Sequence, residues 1–407
     1  MTTLTRVSPR WLVLGSALVA VAVAGWSAYR IVQGVRGNPL AMVDLSVYRA
    51  GGRAVVDGQD LYTMHEARTG LPFTYPPFAA LAFVPLALIS AGLGQLLFSL
   101  VSLAALVRVA WVVSRSALTG TAASPAVVFA VAAGLVAVGL RLEPVSQTFS
   151  FGQVNLLLLW LVVEDLLGGL PARFRGALVG VAAGVKLTPA LFAVYLLVVG
   201  RPRDAARAAG GFLATVALGF AVLPGESWRY WTGIAYDAKR VGGIAYAGNQ
   251  SINAVLIRLS SVDGARKAWF LAAVVVTVFA LLTARALSRT GRELFAVTVV
   301  GVASLLASPV AWNHHWVWAI PVMGALVGEV ARGWPQVSWP PVVLLAMVIA
   351  VLTSRIIWRV PSTHDREYDW HGWQVVAGNG YVLAGLVVVA YAGWLAGAEF
   401  WPRRAVR

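Results

Sequence analysis

The chain has no cysteine, and only three of its 32 basic residues, Lys186, Lys239 and Lys267, are lysines. The first absence excludes disulfides, iron–sulfur clusters and thiolate chemistry. Charge of either sign is scarce: Asp, Glu, Lys and Arg make up 12% of the 407 residues, against about 25% in a soluble domain. So little charge cannot cover a soluble surface. The composition is instead 59% hydrophobic. Long runs such as Trp11–Ala28, Ala268–Thr283 and Val342–Thr353 are almost free of charge. A helix needs about 20 mostly apolar residues to cross a bilayer. These runs are too continuous for the alternating strands of a barrel. The expected class is all-α, a polytopic integral membrane helical bundle.

The formal net charge of +15 does not point to nucleic acid, because the arginines sit between hydrophobic segments. That is the positive-inside pattern, and its natural partners are anionic membrane lipids. Arg6 and Arg10 precede an apolar run with no small-residue cleavage site, so an uncleaved first helix is expected. About 12 membrane helices are expected, near 11–32, 77–91, 94–114, 124–141, 154–169, 174–200, 208–223, 265–287, 292–309, 314–332, 340–358 and 381–398. Arg6/Arg10, Arg201/Arg203/Arg207, Arg285/Arg289/Arg292, Arg332 and Arg403/Arg404/Arg407 share one side, read as cytoplasmic. Loops 33–76, 224–264 and 359–380 then lie outside. Arg108 and Arg115 do not fit this count, which a re-entrant or broken segment between 77 and 175 would reconcile. Segment 174–200 is interrupted at Lys186-Leu187-Thr188-Pro189, where two half-helices are an alternative. Segments 42–57 and 60–68 are expected to be short helices on the membrane surface.

Polar residues gather in the outer loops. Loop 33–76 carries Asp44, Tyr48, Asp57, Asp60, Tyr62, Glu66 and Tyr75. Loop 224–264 carries Trp228, Tyr230, Trp231, Tyr236, Tyr246 and Asn249. Aromatic residues anchor membrane interfaces, and beside carboxylates and amides they also hold sugars. Asp44 is either a helix N-cap or a functional carboxylate at the membrane boundary. Phe73-Thr74-Tyr75-Pro76-Pro77-Phe78 marks the entry to a helix. In Phe151-Gly152-Gln153-Val154-Asn155, two amides at a helix mouth either bind sugar hydroxyls or bond between helices. Lys186 lies in an apolar segment and needs an anion, a carbonyl or water. Gly248-Asn249-Gln250-Ser251 contains a chance glycosylation pattern. In Trp312-Asn313-His314-His315, a paired histidine suits phosphate or hydrogen bonding better than metal, which needs more ligands. No metal or other cofactor is expected.

In this order the motifs resemble glycosyltransferase family 87, the polyprenol-phosphate-mannose-dependent mannosyltransferases with the multi-helix GT-C architecture. The resemblance runs from about Asp44 to His315, and is nearest to the members that extend phosphatidylinositol mannosides. It implies a single transmembrane GT-C catalytic domain over 1–407 in the inner (plasma) membrane. Its donor would be polyprenyl-phosphate mannose and its acceptor a mannosylated phosphatidylinositol-type lipid. The site would face the periplasm or outside, and inversion would give an α-1,2 linkage. Asp44 fills the place of the aspartate that GT-C enzymes carry in the first outer loop. Of its competitors, Asp57 and Asp60 read as turn residues, Glu66 as solvated, and Asp237 as a partner of Lys239 and Arg240. His315, His314 and Lys186 are the donor-phosphate candidates. Tyr48, Tyr62, Tyr75, Gln153, Asn155, Asn249 and Trp312 are the sugar and acceptor candidates. The rivals are a lipid or sugar transporter or flippase, or a related transferase acting on lipomannan or lipoarabinomannan or using an arabinofuranosyl donor. No internal repeat of the transporter kind is evident.

Overall fold

The computed structural model describes residues 42–400 apart from positions 238, 239, 241, 261 and 337, together with Gly25. The expected first helix at 11–32, Arg6, Arg10, Lys239 and Arg403/Arg404/Arg407 lie outside the described residues. Every other expected apolar segment contains helix. In chain order the helices are α1 (Val43–Asp57), α2 (Pro77–Ala87), α3 (Ala91–Ala117), α4 (Pro125–Gly139), α5 (Glu143–Phe151) and α6 (Asn155–Leu167). There follow α7 (Ala177–Val185), α8 (Leu191–Val198), α9 (Pro202–Val222), α10 (Pro224–Thr232) and α11 (Ile252–Leu259). The last are α12 (Val262–Arg289), α13 (Glu293–Ala307), α14 (Ala319–Gly333), α15 (Trp339–Thr353), α16 (Trp373–Gly378) and α17 (Gly380–Phe400). One buried apolar cluster runs through them from Met42 to Ala396.

Among the described residues five stretches are long and apolar enough to cross a membrane alone: α3, α9, Ala265–Arg289 of α12, Trp339–Trp358 through and just past α15, and Gly380–Ala398 of α17. The bent pair α4 and α5 adds a sixth if it is one span. The rest of the expected dozen are shorter pieces, and three of these do not run as single straight spans.

The first is α2. It does not run away from α1 but lies along it. Phe83 stacks on Tyr48 at 4.4 Å, and the Arg49 guanidinium donates to the Leu86 carbonyl and, at 2.8 Å, to that of Ile89. The chain therefore enters α3 still beside α1, at the end that carries Asp44, and descends to the far end. There Arg108 pairs with Glu164 of α6 at 2.7 Å.

The second is the pair α4 and α5, bent by 68°. Pro144 in the first turn of α5 has no N–H to continue the α4 ladder. The third is 174–200, which is a hairpin rather than a span. Gly176, Gly180 and Gly184 of α7 pack in the same order on Asp204, Ala208 and Thr215 of α9, so α7 and α9 run parallel. A Cβ at Gly180 would fall 2.2 Å from the Ala208 carbonyl oxygen; small residues permit such close approach. Between them α8 must run back, from Phe192 stacked on Trp318 to Tyr195, which donates to Glu293 at 2.6 Å. Lys186, extended at φ −152°, ends α7 and begins the turn back.

Segment 60–68 is a turn and not a surface helix. The Asp60 carboxylate takes the N–H groups of Tyr62 and Thr63, and Glu66 takes those of Arg68 and Thr69. Side chains thus supply locally what helix carbonyls would accept. Glu66, expected to be solvated, is 6% exposed for this reason.

Candidate active site

The first turn of α1 carries Asp44. Its N-cap is Met42, in the left-handed region at φ 55°, with no side-chain cap bond, so Asp44 is not a cap. The Met42 N–H donates to the Ser150 carbonyl at 2.7 Å, which pins α1 to the end of α5. Gly152 closes α5 at φ 66°, where a Cβ would lie 2.6 Å from Leu45 Cβ; backbone conformation and space both require glycine there. The turn delivers Gln153 near Asp44, where its amide opposes the rise in the Asp44 pKa; its Nε2 donates to the Tyr75 hydroxyl at 3.5 Å. The Gln153 carbonyl accepts from Tyr48 at 2.8 Å, and the Tyr48 and Tyr75 hydroxyls lie 3.0 Å apart.

Lys186 faces this array from the tip of the hairpin. Its Nζ donates to Asn155 Oδ1 at 3.2 Å and lies 2.9 Å from His315 Nε2 and 5.9 Å from the centre of the Tyr75 ring. His315 Nδ1 accepts the Trp312 N–H at 3.2 Å, which leaves Nε2 as the ring nitrogen turned to Lys186. An anion that displaced this contact would find both nitrogens within reach. Thr148 and the Asn155 amide donate to the His314 carbonyl at 3.0 and 2.8 Å, fixing the turn that presents His315. A pocket open to solvent adjoins the pair, lined by Asn155, Lys186, Thr188, Phe192, His315 and Trp318 among others.

The structure thus brings Asp44, Tyr48, Tyr75, Gln153, Asn155, Lys186 and His315 into one polar cluster, and it changes what several of them can do. Tyr48, Tyr62, Gln153, Asn155 and Asn249 are all buried, with their polar atoms engaged. Tyr62 donates to the Tyr75 carbonyl at 2.9 Å. Asn249 bonds Ile244 and Ala311 at 3.0 Å each, which fastens loop 224–264 to the strand-like stretch before His315. In this structure the polar atoms of these five bond neighbouring segments. Tyr75 and Trp312 remain partly exposed. The His314 ring packs edge-on against Phe151 at 5.4 Å, and neither ring nitrogen has a hydrogen-bond partner among the described residues; its main-chain carbonyl accepts from Thr148 and Asn155. Thr148 and Asn313 were missed in the sequence. A small polar residue in an apolar helix carries no signal of its own until its partner is known.

Burial raises the Asp44 carboxyl to about 6, against the lowering effects of the Gln153 hydrogen bond and the Lys186 charge. Were Asp44 to act as a base it would have to be ionised, so turnover would fall below that pH by about tenfold per unit. A rate profile from pH 4.5 to 8 checks this. An acid limb near 4, the ordinary aspartate range, would show that Asp44 is not desolvated during catalysis.

The model of glycosyltransferase family 87 matches residues 73–309. The chain is 38% identical over 379 residues, 90% of this chain and 84% of the other, to a polyprenol-phosphate-mannose-dependent α-(1-2)-phosphatidylinositol pentamannoside mannosyltransferase of Mycobacterium tuberculosis. It is 33% identical over 374 residues to the protein of that description from Mycolicibacterium smegmatis, covering 88% and 86% of the two chains. A polyprenol-phosphate-mannose-dependent α-(1-2)-phosphatidylinositol mannoside mannosyltransferase of M. tuberculosis is 30% identical over 413 residues, 97% of this chain and 92% of its own. No solved structure matches the chain. With a family model over more than half its length and relatives that cover most of it, this membrane-embedded, all-helical chain belongs to glycosyltransferase family 87.

Proposed function

We propose that the whole chain is one catalytic unit that moves mannose from polyprenyl-phosphate mannose to a phosphatidylinositol mannoside, forming an α-1,2 linkage with inversion. The observation that carries this reading is the meeting of a desolvated carboxylate, Asp44, with the Lys186–His315 pair at one end of an apolar bundle. Asp44 takes the proton of the attacking acceptor hydroxyl. The anomeric C–O bond to phosphate breaks through an oxocarbenium-like transition state. The departing prenyl phosphate is an anion, and Lys186 and His315 hold the charge as it develops. Two lipid substrates require a site at the membrane boundary, and a nucleotide-sugar donor would require a nucleotide-binding domain of which the sequence holds no sign. The experiment is incubation of purified protein with radiolabelled polyprenyl-phosphate mannose and a phosphatidylinositol mannoside. A new mannolipid is expected, one mannose larger and sensitive to α-mannosidase. Movement of donor across a vesicle with no new lipid would replace the enzyme by a transporter.

The site end is read as the outer face of the plasma membrane, because Arg201, Arg203, Arg207, Arg285, Arg289 and Arg292 all mark the opposite end. The absence of native cysteine makes labelling clean. Ala67→Cys, on the exposed turn beside Glu66, is expected to react with an impermeant maleimide in intact cells. Reaction only in inverted vesicles would reverse the topology.

A further inference from the structure

Glu143 is fully buried in the apolar bundle and no step above uses it. A carboxylate in such surroundings is costly unless its oxygens are matched by donors. Here three donors reach it from three separate segments. Asn313 Nδ2 donates at 2.5 Å and Trp358 Nε1 at 3.0 Å, both to Oε1; Tyr381 donates to Oε2 at 2.9 Å. Asn313 opens the turn Asn313–Trp318 that presents His315. Trp358 belongs to the turn before loop 359–380, and Tyr381 starts α17.

Glu143 itself begins α5, whose other end holds Met42 through the Ser150 carbonyl and supplies Gln153 to Asp44. One short helix therefore touches both halves of the site. Its C-terminal end sets the Asp44 carboxyl, and its N-terminal end, through Glu143 and Asn313, sets His315. Thr148, midway along it, holds the His314 carbonyl.

We propose that Glu143 is a positioning residue for the transfer, which through Asn313 fixes where His315 and Lys186 meet the donor phosphate relative to Asp44. This rests on the assignment of the donor phosphate to Lys186 and His315. The prediction is specific to one substrate. Glu143→Gln keeps the volume and one acceptor oxygen but turns an N–H toward donors. It should raise the donor KM and lower kcat/KM for donor about 10- to 100-fold, leave the acceptor KM unchanged, and leave the thermal unfolding midpoint within a few degrees of wild type. Asn313→Ala should reproduce this pattern, and the double variant should cost no more than the worse single one, because contacting residues that act through one bond are not additive. Tyr381→Phe, which removes one donor to Glu143 but keeps the ring packed on Trp316 of the turn, should cost less than Asn313→Ala.

Wild-type donor kinetics in folded Asn313→Ala overturns the proposal, and does so whether or not Glu143→Gln folds. So does a Glu143→Gln protein that loses stability but keeps wild-type constants in its folded fraction, which is the mark of a purely structural carboxylate. If Lys186→Ala and His315→Ala are themselves fully active, the parent assignment has failed instead.

Discussion

Asp44→Asn is expected to leave a folded protein whose rate of mannosyl transfer is reduced about 10²- to 10⁴-fold, the usual worth of a general base. The substitution keeps the size of the side chain and its capacity to bond the Gln153 amide, and removes only the ability to accept a proton. Loss of a helix cap does not complicate the result, because Asp44 caps nothing: the N-cap is Met42. The competing carboxylates of the first loop are engaged elsewhere. Asp57 pairs with Arg53 one turn earlier in α1 at 2.9 Å. Asp60 closes its own turn and pairs with Arg229 at 2.5 Å. Glu66 is buried against Thr69 and Arg68. Of these only Asp44 stands within the field of Lys186. Initial rates with labelled donor, alongside a melting curve, decide the matter. Transfer within a few-fold of wild type would mean that another group takes the proton.

Lys186→Ala should lower kcat/KM for the donor about 10²- to 10³-fold, the order found when one donor to a developing oxyanion is removed. His315→Ala should lower it by an equal or smaller factor. Lys186→Ala also strips Asn155 Oδ1 of its partner, an added cost of leaving a buried acceptor unpaired. The two side chains touch at 2.9 Å and are assigned to the same phosphate, so the double variant should fall well short of the product of the single losses. Affinity for the product, polyprenyl phosphate, should weaken in parallel with kcat/KM, since the ground-state anion meets the same two groups. Full activity in both single variants would remove the phosphate from this position.

Composition alone was enough for the class. With 12% charge and 59% hydrophobic residues, a chain of this length has no soluble solution, and unbroken apolar runs leave helices as the only way to satisfy the backbone in lipid. The pattern of motifs was enough for the family, and the break at Lys186 was visible because a lysine and a proline interrupt an apolar run. Asp44, Lys186 and His315 stood out as candidates for a related reason: a charged or titratable side chain beside apolar neighbours is conspicuous in one dimension.

What stayed hidden was every relation between segments far apart in the chain. The direction of a short helix is not encoded in its hydropathy. The folding of α2 along α1, the bend of α5 and the return of α8 came from contacts such as Arg49 with Leu86 and Gly180 with Ala208. The partners of the sugar candidates were hidden in the same way. An amide looks equally available in sequence whether it faces solvent or, like Asn249 and Asn155, spends both its donor and its acceptor on main chain or side chains more than 30 residues away in at least one bond. The same holds for Glu143, whose three partners lie 170, 215 and 238 residues off. Apolar content is a sum over residues and survives in the sequence; hydrogen-bond satisfaction is a property of pairs, and only the folded chain assigns the pairs.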